Sequence, residues 1–194
     1  MSTVRPGSQT ALVVVDVQLG VIARAWDARR VVSNIVLALD RARQAGLAVI
    51  WVQHEGDDLP RDSAAWQLHL ALLPLPGEAR IYKRFQSSFE ATELDQVLAS
   101  ADAAHIVLAG AATNWCIRAT AYAALDRGYD LTLLKDAHTT EDIALGDGSV
   151  VRAADIVTDL NVTMTWLSYP GRKCGAATAA EADLARPGTV SARA

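Results

Sequence analysis

Short apolar runs alternate along this chain with segments whose apolar residues recur at helical spacing. Apolar runs without polar alternation are typical of strands that are covered on both faces of a parallel sheet. Such runs predict strands at residues 11–16, 47–53, 79–83, 105–110 and 130–137, with a weaker sixth run at 173–177.

The segments between these runs predict helices. In residues 29–44, Val31, Ile35 and Leu39 share one helical face, and Gly46 follows where a helix would end. The other helical patterns cover residues 92–99, 115–127 and 149–167, the last with Ser149 as its N-cap. Strands that alternate with helices pair in parallel through right-handed crossovers. The sequence therefore predicts an α/β fold, a three-layer α/β/α sandwich around a mainly parallel sheet of five to six strands.

Length and composition add a domain count to this picture. The chain has 194 residues, of which 51% are hydrophobic and 21% charged, as in ordinary globular proteins. We expect a single domain over residues 1–183. Residues 184–194 are mostly small and polar, and we expect them to form a flexible C-terminal tail.

Charge and cysteine content exclude several classes of partner. The net charge is −4 and basic residues do not cluster, which disfavours nucleic acid and anionic membrane surfaces as partners. No apolar run approaches the roughly 20 residues of a membrane span, and the N-terminus lacks the apolar core of a signal peptide. Two cysteines do not make a disulfide framework. These features predict a cytoplasmic protein that acts on a small molecule.

Reactive side chains stand where three of the predicted strands end. Asp16 closes the first strand, Lys83 closes the third, and Cys116 follows the fourth. Taken singly, Asp16 could cap a turn, Lys83 could be a solvated cation, and Cys116 could be a small buried hydrophobe. Parallel sheets, however, bind ligands beyond the carboxyl ends of their strands, where these three side chains would meet.

Together the three side chains supply the groups that a cysteine nucleophile needs: a thiol, a cation and a base. A thiol in the first turn of a helix feels the positive end of the helix dipole, and a nearby ammonium also lowers its pKa. A carboxylate within reach can accept the thiol proton. We therefore expect Cys116 to have a lowered pKa and to act as a nucleophile, with Asp16 and Lys83 beside it.

Three segments resemble the isochorismatase-like (cysteine) hydrolases over about residues 10–178. They read ALVVVDVQ, YKRFQSSFEATELDQVL and AGAATNWCIRATAYAALDRGYDLTLLKDAHTT. The resemblance implies a Rossmann-like sheet with Asp16 as general base, Lys83 as the family's conserved lysine and Cys116 as nucleophile. It also implies a cis peptide bond between Ala111 and Ala112, with an oxyanion hole at these residues, and a homo-oligomer, dimer or tetramer.

The implied reaction is hydrolysis of an amide or ureide C–N bond through a thioester. Two other functions stay open, a vinyl-ether hydrolase of the isochorismatase type and a catalytically silent binding protein. The first strand is not followed by a glycine-rich dinucleotide motif, and we expect no cofactor.

Metal and substrate contacts depend on the loop after the second strand. Nicotinamidases of this family carry Asp-x-His there, whereas this chain reads Gln53-His54-Glu55, which disfavours that activity and predicts no metal. The alternative is a metal site built from His54, Asp57, Asp58 and His69. The residues expected to contact the substrate are Gln18, His54, Trp66, Phe89 and Trp115.

Overall fold

A parallel six-stranded sheet forms the middle layer of the computed structural model, which describes residues 1–184. Its strands are β1 Gln9–Val15, β2 Ala48–His54, β3 Ala79–Lys83, β4 Ala103–Ala111, β5 Asp130–Thr139 and β8 Cys174–Ala177. They run in the order β3-β2-β1-β4-β5-β8, and every pair is parallel. The predicted α/β fold and its six strands are confirmed, because each predicted run overlaps an observed strand.

Helices cover both faces of this sheet. Their bounds are α1 Leu19–Ile22, α2 Ala28–Gln44, α3 Leu94–Ser100, α4 Arg118–Asp126 and α5 Ala153–Trp166, with a π-helical turn at Thr113–Ile117 leading into α4. Alternate residues of β1 enter two separate cores, since side chains point to opposite faces of a strand. Leu12 and Val14 pack on the side of α2, whereas Val13 and Val15 pack on the side of α3, α4 and α5. The three predicted layers follow from this arrangement.

The predicted start of the last helix is wrong. The chain reaches α5 only at Ala153, and Ser149 lies outside it, bonded to the Asp147 carboxylate. Between them, strand β7 (Val150–Val151) pairs antiparallel with β6 (Ile143–Ala144). The β-branched pair favours a strand here. The first N–H of α5, on Ala153, is instead bound by the carboxylate of Asp142, 2.8 Å away.

The end of the described chain lies in the core. Leu184, where the predicted tail begins, is 4% exposed and packs with the α2 side of the sheet. The rest of the predicted tail, residues 185–194, lies outside the described residues. Over residues 1–184, no helix is long and apolar enough to cross a membrane.

A partly buried carboxylate joins α2, β2 and the segment before β3. Glu78 accepts hydrogen bonds from Arg43 (2.8 and 3.0 Å), from the Trp51 indole (2.7 Å) and from the Leu75 N–H (2.8 Å). Burial works to raise the pKa of Glu78, but the bonds from Arg43, Trp51 and Leu75 outweigh it and lower that pKa. The ionised form of Glu78 therefore stabilises the fold.

Glu78→Gln is expected to lower the free energy of unfolding by about 2–3 kcal/mol at pH 7, because charge-assisted bonds to three partners are weakened. The pKa of Glu78 is lower in the folded state, so its contribution is present above the unfolded-state pKa and is lost as pH falls through the folded value. Urea titrations between pH 7 and pH 3 measure this. The exposed Glu90 provides the control, Glu90→Gln. A difference between wild type and Glu78→Gln that grows towards acid would contradict the assignment.

Candidate active site

Asp16 stands where β1 ends. Its backbone adopts a φ of 52°, a left-handed conformation that aspartate tolerates better than most residues. The Asp16 N–H donates to Val52 O at 2.8 Å, which holds the turn against β2. The residue is 1% exposed. The sharp turn thus places the carboxylate in the interior at the carboxyl edge of the sheet.

Lys83 reaches Asp16 across the end of the intervening strand. β3 and β1 flank β2, and two strand spacings are roughly 10 Å, which a lysine side chain helps to span. Its Nζ lies 2.6 Å from Asp16 Oδ2, and the side chain is fully buried. The ammonium also donates to Phe85 O and to Cys116 Sγ, both at 3.2 Å. Asp16, Lys83 and Cys116 therefore form one contiguous group, hereafter the Asp-Lys-Cys cluster.

Cys116 lies in the π-helical turn that follows β4. Just before this turn, the peptide bond between Ala111 and Ala112 is cis, at the position implied by the sequence resemblance. The turn is closed by Ile117 N–H, which donates to Ala112 O at 3.1 Å. Farther along the helix, Thr120 is bonded to Ser88, in the loop after Lys83. These contacts bring the thiol to the lysine.

The expected lowering of the Cys116 pKa is wrong. Burial raises the pKa of the thiol most, the charge of Asp16 raises it further, and Lys83 lowers it too little to compensate, so that the pKa reaches about 12. Burial likewise opposes the charge of Lys83, but Asp16 and Cys116 outweigh burial and raise the pKa of the ammonium. The cluster therefore rests as thiol and ammonium at neutral pH.

The carboxylate oxygens of Asp16 have few hydrogen-bond donors. Apart from the Lys83 ion pair, no N–H or O–H group among residues 1–184 donates to either carboxylate oxygen. A buried carboxylate oxygen without such donors is unusual. The arrangement provides a base beside a protonated thiol.

His54 faces the cluster from the end of β2. Its Nδ1 lies 3.5 Å from Lys83 Nζ, and its ring is partly buried. Burial, followed by the charge of Lys83, lowers the pKa of His54. The His54 imidazole is therefore neutral at pH 7, and its Nδ1 can accept a hydrogen bond from the Lys83 ammonium.

Two of the residues predicted to contact substrate are buried in the protein interior. The Gln18 amide donates to the carbonyls of His54 and Trp66, both at 2.9 Å, and accepts from the His54 N–H at 2.8 Å. Gln18 has no exposed surface, so it ties the loop after β2 to the end of β1. Phe89 is buried against Tyr129, with ring centroids 5.8 Å apart. Neither side chain faces solvent.

The two predicted tryptophans differ in their exposure. Trp66 is buried beside Tyr82, with ring centroids 5.7 Å apart. Trp115, next to Cys116 in the chain, is 59% exposed and lines a cleft of about 720 Å³. The cleft is lined by Arg24, Trp26, Asn114, Trp115, Thr140, Glu141, Asp142, Ile143 and Ala144. Five of these nine, residues 140–144, follow β5 and include strand β6, and sequence reasoning missed residues 141–144 because they carry no motif.

The loop after β2 offers no assembled metal site. Among residues 1–184, no group of three or more His, Cys, Asp or Glu side chains is arranged to hold a metal ion. The His69 ring, one of the four alternative ligands, accepts the Ala71 N–H at 3.2 Å.

Comparisons with known proteins agree with this architecture. The family profile described as Isochorismatase domain matches residues 10–162. Two proteins from Streptomyces noursei named streptothricin hydrolase are each 36% identical, over 146 and 140 residues. The matches cover 71% and 69% of this chain but 57% and 50% of the relatives, so the chain spans little more than half their length.

Solved structures extend the similarity to the whole fold. An isochorismatase from Pseudomonas putida KT2440 is 30% identical, with a TM-score of 0.79 over 89% of each chain. A cysteine hydrolase from Pseudomonas syringae pv. phaseolicola 1448A is 27% identical, with a TM-score of 0.78 over 89% of each chain.

Proposed function

This chain belongs to the isochorismatase family of hydrolases, and from that premise we propose that it cleaves an amide or ureide C–N bond of a small molecule through a Cys116 thioester. The observation that carries the proposal is the position of Lys83 Nζ, 2.6 Å from Asp16 and 3.2 Å from Cys116 in a buried cluster. A base, a cation and a nucleophile within bonding distance are the groups that acyl transfer needs.

The first half of the reaction begins with a protonated thiol. As Cys116 Sγ attacks the substrate carbonyl carbon, its proton passes to Asp16, since a thiol with a pKa of about 12 is not ionised beforehand. The carbonyl π electrons move to oxygen, and the N–H groups of Ala112 and Cys116 donate to this oxyanion. The tetrahedral intermediate then expels the nitrogen, which takes the proton from Asp16. A neutral amine leaves and a thioester remains.

The second half regenerates the enzyme. Asp16 removes a proton from water as the water oxygen attacks the thioester carbonyl. Collapse of the second tetrahedral intermediate breaks the C–S bond, and the sulfur takes the proton from Asp16. The products are a carboxylic acid and the free thiol. Lys83 compensates the charge of Asp16 and of the developing thiolate throughout, so that no isolated buried charge arises.

The cleft and the relatives suggest the kind of substrate. The cleft lined by Trp26 and Trp115 has a volume of about 720 Å³, which suits a small molecule, and its exposed indoles offer flat apolar walls. Asp16, Lys83 and Cys116 do not line it, and its link to the cluster is Trp115, which directly precedes Cys116 in the chain. Because two relatives are named streptothricin hydrolase, streptothricin is the first substrate we propose to test. Simple amides and ureides come next.

The Cys116→Ser variant tests the proposed reaction. We expect wild type to hydrolyse one or more of these C–N compounds and to show an acyl adduct on Cys116 by intact mass spectrometry. Cys116→Ser should lose this hydrolysis by about 1000-fold or more, because the thioester cannot form. Cys174→Ser is the matched control, since Cys174 lies in the edge strand β8 and should be replaceable.

Three other outcomes would overturn the proposal. Hydrolysis of isochorismate by wild type and Cys116→Ser at equal rates would establish vinyl-ether chemistry through Asp16 and Lys83. Saturable ligand binding without turnover of any compound would establish a silent binding protein. Activity on streptothricin that survives Cys116→Ser would exclude the thioester.

A further inference from the structure

The turn that carries Cys116 is anchored at its first residue by a buried histidine. Thr113 opens the π-helical turn three residues before Cys116 and is completely buried. Its Oγ1 lies 2.9 Å from Nδ1 of His138 on β5. His138 is also buried, and in the sheet it sits opposite Gly110 of β4. This contact links the nucleophile's turn to the adjacent strand.

The direction of this hydrogen bond follows from its neighbours. Asn161 of α5 donates through Nδ2 to the backbone carbonyl of Lys135, 2.9 Å away. A carbonyl oxygen only accepts, so Oδ1 is the Asn161 atom that faces His138 Nε2, at 2.9 Å. Nε2 must therefore carry a proton, and in the neutral imidazole Nδ1 then accepts from the Thr113 hydroxyl. In that direction the bond to Thr113 requires a neutral ring.

The charge state of His138 agrees with that requirement. Burial lowers the pKa of His138 to about 4, although the bond to Asn161 and the charge of Asp136 act in the opposite sense. At neutral pH the ring is uncharged, and its Nδ1 lone pair is available to Thr113.

Other contacts also hold the π-helical turn at this end. The N–H groups of Trp115 and Ile117 both donate to Ala112 O at 3.1 Å, and Asn114 Oδ1 accepts from the Thr140 hydroxyl at 2.6 Å. The bond of Asn114 is only partly buried, whereas that of Thr113 is fully buried. Cys116 lies between these contacts and the next turn, which is tied by Thr120 to Ser88. Release of Thr113 would let the thiol end of the turn shift against Lys83.

We propose that His138 is a positioning residue that, through Thr113, holds the Cys116 thiol within reach of Asp16 and Lys83. The inference rests on the proposed function, since it gives His138 a task in thioester formation. His138 touches neither the cluster nor the substrate in this assignment. It acts by fixing where the turn begins.

A pair of substitutions separates this role from general stability. His138→Asn keeps an acceptor, Oδ1, near the position of Nδ1, whereas His138→Gln keeps a donor near Nε2 and loses the acceptor for Thr113. We expect His138→Gln to lower kcat by about 10- to 100-fold with KM unchanged, as a misplaced nucleophile does. His138→Asn should retain kcat within about threefold of wild type.

The chain also offers a matched control. His105 is partly buried, with both ring nitrogens bonded to threonines (Thr10 at 3.0 Å and Thr132 at 2.9 Å). It lies near the start of β4, at the opposite edge of the sheet from Cys116. His105→Gln should lower the thermal midpoint and leave kcat unchanged.

The outcomes distinguish failure of the inference from failure of the proposed function. Equal kcat values for His138→Asn and His138→Gln, with wild-type turnover dependent on Cys116, would overturn the inference alone. A loss of kcat in His105→Gln as large as in His138→Gln would also overturn it. If His138→Gln does not fold, Thr113→Val against Thr113→Ser makes the same comparison, and equal kcat values reject the role. Turnover that is independent of Cys116 would instead reject the proposed function, and the inference about His138 with it.

Discussion

Asn in place of Asp16 is expected to lower kcat for C–N hydrolysis by about 1000-fold or more and, at the same time, to speed alkylation of Cys116 at neutral pH. Hydrolysis falls because the amide side chain can neither take the thiol proton nor return it to the leaving nitrogen. Alkylation by iodoacetamide needs only the thiolate. The two rates should therefore move in opposite directions.

The sign of the alkylation effect follows from the charges around the thiol. The charge of Asp16 raises the pKa of Cys116, and Lys83 lowers it. Removal of the carboxylate leaves the ammonium unopposed, so the thiol pKa falls from about 12 and the thiolate fraction at pH 7 rises. Slower alkylation in Asp16→Asn would contradict this account of the cluster.

Single-turnover hydrolysis and peptide mapping of iodoacetamide-treated protein measure the two rates. Cys174, whose pKa burial raises to about 11, serves as an internal reference thiol. Asp27→Asn is the matched control, because Asp27 also has a left-handed backbone (φ 51°) but lies on the surface. Asp16→Asn leaves Lys83 buried without its carboxylate, which costs about 3–5 kcal/mol, so the assays belong well below the thermal midpoint.

The second large effect concerns Gly110, where β4 passes the end of β1. Its φ is +127°, and a Cβ added there would lie 1.9 Å from Val15 O and 2.8 Å from Val15 C and N. Gly110→Ala is therefore expected to destabilise the fold by about 4 kcal/mol or more, since backbone on both sides would have to move. Soluble yield and denaturant unfolding measure the loss.

Gly146 provides the control for this substitution. A Cβ at Gly146 would meet no atom within 4 Å, and Gly146→Ala should leave the free energy of unfolding within about 0.5 kcal/mol of wild type. A Gly110→Ala variant as stable as Gly146→Ala would contradict the packing of β4 against β1. Val15 directly precedes Asp16, so the contact between Gly110 and Val15 also helps to fix the backbone position of Asp16.

Much of this fold could be predicted because buried parallel strands leave a strong local signal. Continuous apolar runs identified the strands, and the rule that parallel strands end at one edge brought Asp16, Lys83 and Cys116 together before any coordinates were known. The contact itself needed the structure, because a sequence does not say that Lys83 is fully buried.

Other features depend on long-range contacts that a sequence pattern does not carry. Helical spacing in residues 149–167 concealed a short hairpin, because the partner of Val150–Val151 lies at Ile143–Ala144. The pKa of Cys116 was predicted with the wrong sign, since the amount of burial outweighs the nearby ammonium. His138 went unnoticed because its partners, Thr113 and Asn161, come from two other elements.

The place of Lys83 in the sheet has a further consequence. It is carried by β3, an edge strand of five residues that pairs with β2 alone in the described sheet, whereas Asp16 and Cys116 follow β1 and β4 in its centre. Edge elements open locally at a lower free energy than central strands. Fraying of β3 would withdraw the ammonium while the remaining strands stay paired. The charge balance of the cluster thus lasts only as long as the outermost strand stays paired, and under the proposed mechanism hydrolysis would stop in a molecule that is otherwise still folded.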